Sequence, residues 1–407
     1  MKNEISAKQS RVTFKKVDLS KYRLLSIFLT GYAFLSGFVF VEPSPAEWFF
    51  LIFVPFLLID FSTTKTVLCM FFCLSLPLVI SMYTGLSLYG YLDARFVTID
   101  FYLFFFFMIT ASCVSTARLG PEQRSQLIDK IMTGWTYGAV INILTGLLAY
   151  VTRRISLFDI EIIYGLRLRG FFKDPNVLGP YIVPPAVYSL CNVMLSTRRR
   201  LKNALLFLLL TAGILLTFSR GAWLNYSVSL STVVLGIIVQ RKLRRKILTA
   251  VFLIVFSLTV ILYLSASVEI YGVNLLKFVE ARSQPQRYDY DRFATQRLVV
   301  EILESTNLVF GAGPGNYETY TKRMAAHSLY VRYLGERGFF GFALFILFLF
   351  SNLFAMTYSD FKFILIPTMI GQLANSFFID SLHWRHLWLI IVLGMIRART
   401  IKQQEGE

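Results

Sequence analysis

Three histidines occur in the chain, and one of them, His327, opens "HSLYVRYLGERGFFG" just before a long apolar run. An imidazole is the side chain best suited to take a proton near neutral pH. A helix start and the nearby Arg323, Arg332 and Arg337 disfavour imidazolium, so His327 reads as a neutral general base. The plainer reading is a helix-start histidine bonded to loop carbonyls. Ser328 and Glu336 lie in the same stretch.

Candidate anion binders come from three other stretches. In "LRLRGFFKDPN" at 166–176, Asp174 suits an N-cap and Pro175 the first helical position. Arg167, Arg169, Lys173 and Asn176 then lie beside a helix start, where anions bind readily. In "LLTFSRGAWL" at 215–224, Arg220 sits on a turn between two apolar runs, and Gly221 permits that turn. An arginine there is costly unless it is paired, snorkelled or facing water. In "RFATQRLVVEILESTNLVFGAGPGNYETY" at 292–320, Arg297 precedes Leu298, Ile302 and Leu303 at helical spacing. That pattern predicts an amphipathic helix over 293–305. "GAGPGNY" is a glycine-rich turn without the strand and the Lys-Ser/Thr of a nucleotide loop. "DYD" at 289–291 is a weak metal signal. His383 and His386, beside Trp384 and Trp388, read as interface anchors rather than a metal pair.

These residues have to be positioned by a greasy scaffold. The chain has 407 residues, of which 56% are hydrophobic and 16% charged, against about 25% charged in soluble domains. Apolar runs of transmembrane length recur throughout without strand-like alternation, so the expected fold is all-α and polytopic. Spans are expected at about 24–41, 47–61, 66–82, 97–115, 131–151, 177–196, 203–218, 221–239, 247–266, 328–350, 361–378 and 382–396. The organisation is then a basic cytoplasmic segment at 1–23, helices over 24–266, one large outer loop at 267–327, helices over 328–396 and a cytoplasmic tail at 397–407. Nearly all of the net charge of +17 falls on the side holding both termini, through the basic lead, "RRRLK" at 198–202, "QRKLRRK" at 240–246 and the tail, as the positive-inside rule requires. That charge reflects topology and contact with anionic membrane lipids, not nucleic-acid binding. The four cysteines all lie in apolar runs and suggest no disulfide framework. The middles of the spans are expected to be free of acidic and basic residues, with Asp60, Asp100 and Asp380 near span ends. This counts against an ion-coupled transporter or a lipid-linked-oligosaccharide flippase, the main rival class.

His327–Ser328, nine further residues, then Gly338 and Gly341, resembles the histidine motif of the bacterial O-antigen ligase family and the related O-antigen and exopolysaccharide polymerases. "RGFFKDPNVLG", "TFSRGAWL" and "GAGPGNY" are similar to stretches of that superfamily, in the same order over 167–341. The resemblance implies a fold similar to type C glycosyltransferases in the bacterial inner membrane, with the active site on the outer, periplasmic face. It implies transfer of a glycan from undecaprenyl diphosphate to a hydroxyl of lipid A-core or of a growing glycan, with no metal or cofactor requirement. It puts the catalytic histidine on His327 and the diphosphate-binding arginines on Arg220 and Arg297. Arg169 would assist, and Arg167, Lys173, Asn176, Ser328 and Glu336 would support the site.

Overall fold

The computed structural model describes residues 19–396 apart from 60, 158, 196–198, 241–245, 268, 271–272 and 322–324. The basic segment up to residue 18, the tail at 397–407, Asp60, Arg198, Arg323 and most of "QRKLRRK" lie outside the described residues. The first part of the chain forms α1 (Leu19–Leu35), α2 (Pro45–Leu58), α3 (Lys65–Tyr89), α4 (Ala94–Thr116) and α5 (Pro121–Thr152). Two small antiparallel hairpins follow, β1–β2 (Ser156–Leu157 with Ile160–Glu161) and β3–β4 (Ile163–Tyr164 with Arg167–Leu168). Then come α6 (Pro175–Leu195), α7 (Arg200–Leu216), α8 (Arg220–Val239) and α9 (Ile247–Ser267). The expected outer loop carries the hairpin β5–β6 (Glu269–Ile270 with Val273–Asn274) and four short helices: α10 (Leu275–Ser283), α11 (Arg287–Arg297), α12 (Val299–Ser305) and α13 (Asn316–Thr321). The chain closes with α14 (Leu329–Thr357), α15 (Lys362–Asn375) and α16 (Arg385–Leu393).

A helix lies over each of the twelve apolar stretches. Among the described residues, six of them (α3, α4, α5, α6, α8 and α14) are long and apolar enough to cross a membrane. Of the other six, α1, α2, α7, α15 and α16 run to 17 residues or fewer, while α9 runs to 21. The helices form because a buried backbone must satisfy its own polar groups, and an α-helix does so within one segment. α8 packs along α15, α6 against α7, α1 against α5 and α14 against α3. The core between them is aromatic, with Tyr32, Phe104, Phe106, Phe107, Trp135, Tyr181 and Trp388 buried.

Prolines inside these helices each free the carbonyl four residues back, and at two of them a neighbouring side chain takes it up. Pro185 of α6 leaves the Tyr181 carbonyl free, and the Trp135 indole N–H donates to it at 2.9 Å. Pro367 of α15 leaves the Phe363 carbonyl free, and the Cys191 thiol donates to it at 3.4 Å. Trp135 and Cys191 therefore cross-link helices as well as filling space.

Two expectations about local structure are revised. The amphipathic helix at 293–305 begins earlier and is broken in two. Its start is fixed by a capping box in which the Gln286 N–H donates to Asp289 at 2.7 Å. Its break at Leu298 follows from Tyr317, whose hydroxyl donates to the Thr295 carbonyl at 2.7 Å, the acceptor that Val299 would otherwise use. Second, the expectation of charge-free span interiors fails in α14. Glu336 and Arg337 are both buried there.

α14 is interrupted at Gly338, whose φ of 63° and ψ of −172° are non-helical. The "GAGPGNY" turn fills the gap. Ala312 and Gly313 donate to the carbonyls of Gly335 and Glu336, both at 2.9 Å. Phe339 and Phe340 donate in turn to Leu308 and Val309, at 3.1 and 3.0 Å. The glycine-rich turn is thus a backbone wedge that satisfies the groups exposed by the break.

Candidate active site

One cavity of about 890 Å³ opens at the end of the bundle where the starts of α6 and α8, the end of α15, the β3–β4 hairpin and α10–α11 meet. Of the residues expected at the site, Arg167, Asn176 and Arg220 line it. The hairpin register sets Arg167 opposite Tyr164. Its guanidinium donates from Nε to the Thr217 carbonyl at 3.0 Å and from a terminal nitrogen to Asn176 Oδ1 at 2.7 Å. Asp174 caps the start of α6, accepting from the Asn176 N–H at 2.7 Å. Ser219 caps α8, accepting from the Ala222 N–H at 3.3 Å, and this puts Arg220 on the first turn. Gly221 is required for close approach rather than for its conformation, because a Cβ there would sit 2.4 Å from Asn375 Oδ1 of α15.

Two further arginines, not singled out from the sequence, complete the wall: Arg282 and Arg292. Arg220, Arg282 and Arg292 all gather round Tyr288, at 5.8, 6.0 and 4.9 Å from its ring centre. The Tyr288 hydroxyl accepts from Arg282 at 2.9 Å and from Arg220 at 3.3 Å. Four cationic side chains therefore face one cavity, and Asp289, paired with Arg220 at 2.5 Å, is the only acid among the lining residues. Burial, and then Arg282, pulls the Arg167 guanidinium below its ordinary pKa. The Nε atoms of Arg282 and Arg292 are buried without a hydrogen-bond partner. Such donors are costly to leave unmade. The starts of α6, α8 and α11 add positive dipole ends. The rest of the wall is apolar, with Leu224, Phe278, Phe293, Phe378 and Ile379. The chemistry of this lining fits an anion carried on an apolar chain.

His327 lies beside this wall. Its carbonyl accepts from Gln296 Nε2 at 3.2 Å, and Gln296 lines the cavity. The backbone of His327 is left-handed, with φ 48°, which is strained for a residue with a Cβ. It is held in place on its C-terminal side, where the next peptides are anchored. Ser328 caps α14, accepting from the Val331 N–H at 3.4 Å, and the Leu329 N–H donates to Ser376 at 3.0 Å. Burial, and then Arg292, lowers the imidazole pKa, with Asp380 and Asp174 acting the other way. The neutral form is favoured.

The remaining expected residues lie apart from the cavity wall. Arg297 is exposed, and Arg292 and Arg282 stand where a loop arginine was expected. Arg169 pairs with Glu161 and donates to the Phe172 carbonyl at 2.7 Å, locking the hairpins. Lys173 pairs with Glu42 at 3.1 Å. Glu336 belongs to a buried ionic cluster. Arg332 is bonded there to Asp380 at 2.5 Å, Glu318 at 3.0 Å and Glu336 at 3.1 Å, and Arg337 pairs with Asp100 of α4. Burial alone would raise the Asp380 pKa, but Arg332 overcomes it and holds the carboxylate below its ordinary value. Asp289 is taken by Arg220 rather than by a metal-type cluster, and among the described residues no group of three or more His, Cys, Asp or Glu could hold a metal ion. The expected interface anchors His386, Trp384 and Trp388 are buried instead. His386 lies 5.1 Å from Trp384 and 6.0 Å from Tyr181, ring to ring.

The fold and the cavity define a polytopic helical membrane protein with a cationic, partly apolar pocket at one end. Residues 205–346, from α7 into α14, match the family model described as O-antigen ligase, and the chain carries a domain of that family over this stretch. The match holds Arg220, Arg282, Asp289, Arg292, Arg297 and His327, while Arg167, Arg169, Lys173 and Asn176 precede it. A search of curated proteins finds no match. That match supports a glycosyltransferase-type function in polysaccharide synthesis.

Proposed function

We propose that the protein moves a glycan from undecaprenyl diphosphate to an acceptor hydroxyl at the outer face of the bacterial inner membrane. The observation that carries this reading is the convergence of four arginines on one cavity whose wall is tied to His327. Arg167, Arg220, Arg282 and Arg292 would hold the donor diphosphate, and Leu224, Phe278, Phe293, Phe378 and Ile379 would receive the first isoprene units. The acceptor oxygen attacks the anomeric carbon and forms the new C–O bond. The bond to the diphosphate oxygen breaks, and its electron pair leaves with the diphosphate. His327 takes the acceptor proton, a contribution of about 10²–10⁴-fold in rate. Guanidinium forks stabilise the charge growing on the leaving group because they bind phosphate oxygens in pairs and stay ionised. One direct displacement inverts the anomeric centre.

The acceptor is lipid A-core for a ligase or a growing polysaccharide for a polymerase. Both use the same donor chemistry. The test is a gel of surface and lipid-linked glycan from cells lacking the protein, complemented with wild type or His327→Ala. Long polymer held on the polyprenyl lipid marks a ligase; single repeat units mark a polymerase. Restoration by His327→Ala at the wild-type level would refute the catalytic assignment and favour a flippase.

A further inference from the structure

The cavity brings its own anion, and that anion sits on Arg220. Asp289 is the only acid among the lining residues. Its side chain is 14% exposed and that of Arg220 is 30% exposed. The pair uses one terminal nitrogen of Arg220, which also reaches the Tyr288 hydroxyl at 3.3 Å; the other terminal nitrogen makes only a 3.4 Å contact with the Gln284 carbonyl. A phosphate gripped by a guanidinium fork needs two of its N–H groups side by side. The carboxylate therefore occupies part of the surface that the ligand would use.

The two oxygens of Asp289 do different work. Oδ1 meets Arg220, and Oδ2 accepts the Gln286 N–H at 2.7 Å in the capping box of α11. Loss of Arg220 would leave the carboxylate still hydrogen-bonded, beside a helix start that favours negative charge. Arg220 is thus free to change partners without unmaking α11.

We propose that Asp289 is a displaceable internal counterion of the donor site, which holds Arg220 in the empty cavity and yields it to the diphosphate of a polyprenyl donor. It sets donor affinity: every donor must outcompete a tethered carboxylate, and the same carboxylate returns to Arg220 as the product leaves. The proposal rests on the functional reading above.

The test is binding of undecaprenyl diphosphate to the purified full-length protein in detergent, comparing wild type, Asp289→Asn and Arg220→Ala. Asparagine keeps one oxygen, which can serve the capping box, and replaces the charged oxygen that Arg220 meets with a neutral amide. The expected result is about tenfold tighter binding to Asp289→Asn, the scale of one partly buried ion pair, with binding lost in Arg220→Ala. Thermal melting of each variant, with Asp289→Ser as a second neutral cap, separates affinity from misfolding. Wild-type binding that is unchanged or weakened in both neutral variants overturns the counterion role, because Asp289 would then be orienting Arg220, and it leaves the donor reading standing. If wild type binds undecaprenyl diphosphate no better than Arg220→Ala does, the donor reading and this proposal both fall.

Discussion

Replacing Gly338 with alanine tests whether the break in α14 is a built device. At φ 63° and ψ −172° the backbone occupies a region that only glycine visits readily, and a side chain there costs on the order of 1–3 kcal/mol. A Cβ would also meet the Val309 carbonyl oxygen at 2.2 Å and the Phe310 nitrogen at 2.5 Å. These are backbone atoms of the wedge, so the segment 308–313 must retreat. Retreat weakens the bonds from Phe339 and Phe340 to Leu308 and Val309, each worth about 0.5–1.5 kcal/mol. The combined loss is about 2–6 kcal/mol. Gly90 supplies the control, because its φ is 73° yet nothing lies within 4 Å of an added Cβ. Gly90→Ala should therefore lose only about 1–2 kcal/mol from backbone strain. Thermal melting of both purified variants in detergent, beside the cellular glycan gel, reads the difference. If Gly338→Ala melts no lower than Gly90→Ala and restores glycan normally, the wedge argument is wrong.

Two other outcomes follow from the buried charges. Removing one partner of the Arg337–Asp100 pair should cost about 3–5 kcal/mol, and Arg337→Met combined with Asp100→Leu should recover more than half of the single-mutant loss; a double-mutant cycle on melting temperature checks this, and additive losses would count against a mutually dependent pair. Because burial and Arg292 hold the His327 imidazole below its ordinary pKa, the neutral base survives acidification further than a free histidine would. Arg292→Ala should move the acidic limb of the transfer rate to higher pH at saturating donor, whatever it does to the rate itself; an unmoved limb would separate His327 from the titration.

The helices were legible because lipid leaves apolar runs little other choice, and a helix lies over every run read as a span. Residues 167, 176 and 220 were legible as candidates because cations at helix starts are conspicuous in a greasy sequence. Arg292 was not separable from Arg297 by composition. The choice between them depends on helix phase, which is set by the capping box at Gln286–Asp289 and by the Tyr317 hydroxyl that stops the helix at Leu298. The capping box was a local signal that could have fixed the start. The break depends on a residue 22 positions away, which no local pattern reveals. The Arg337–Asp100 pair spans 237 positions, so the sequence shows two costly charges but not that they meet. His386 was misplaced for a related reason. A histidine between tryptophans has the composition of a membrane interface, yet the packing of α16 turns it inward against Tyr181.

The two charged clusters have opposite imbalances, and His327 lies between them. The cavity gathers Arg167, Arg220, Arg282 and Arg292 against one acid, Asp289. The buried cluster around the start of α14 gathers Asp100, Glu318, Glu336 and Asp380 against Arg332 and Arg337. An anionic donor is drawn to the first and repelled by the second, so the acidic cluster cannot be a second phosphate site. Its carboxylates are paired with Arg332 and Arg337 rather than left open for the exchange that ion-coupled transport needs. The consequence for His327 is directional. In the empty site Arg292 opposes protonation of the imidazole while Asp380 favours it. A diphosphate held by the cavity arginines would cancel much of the Arg292 field and leave the Asp380 field in place. The proton affinity of His327 would then rise as the donor binds, so the base strengthens when there is an anomeric centre for the acceptor to attack.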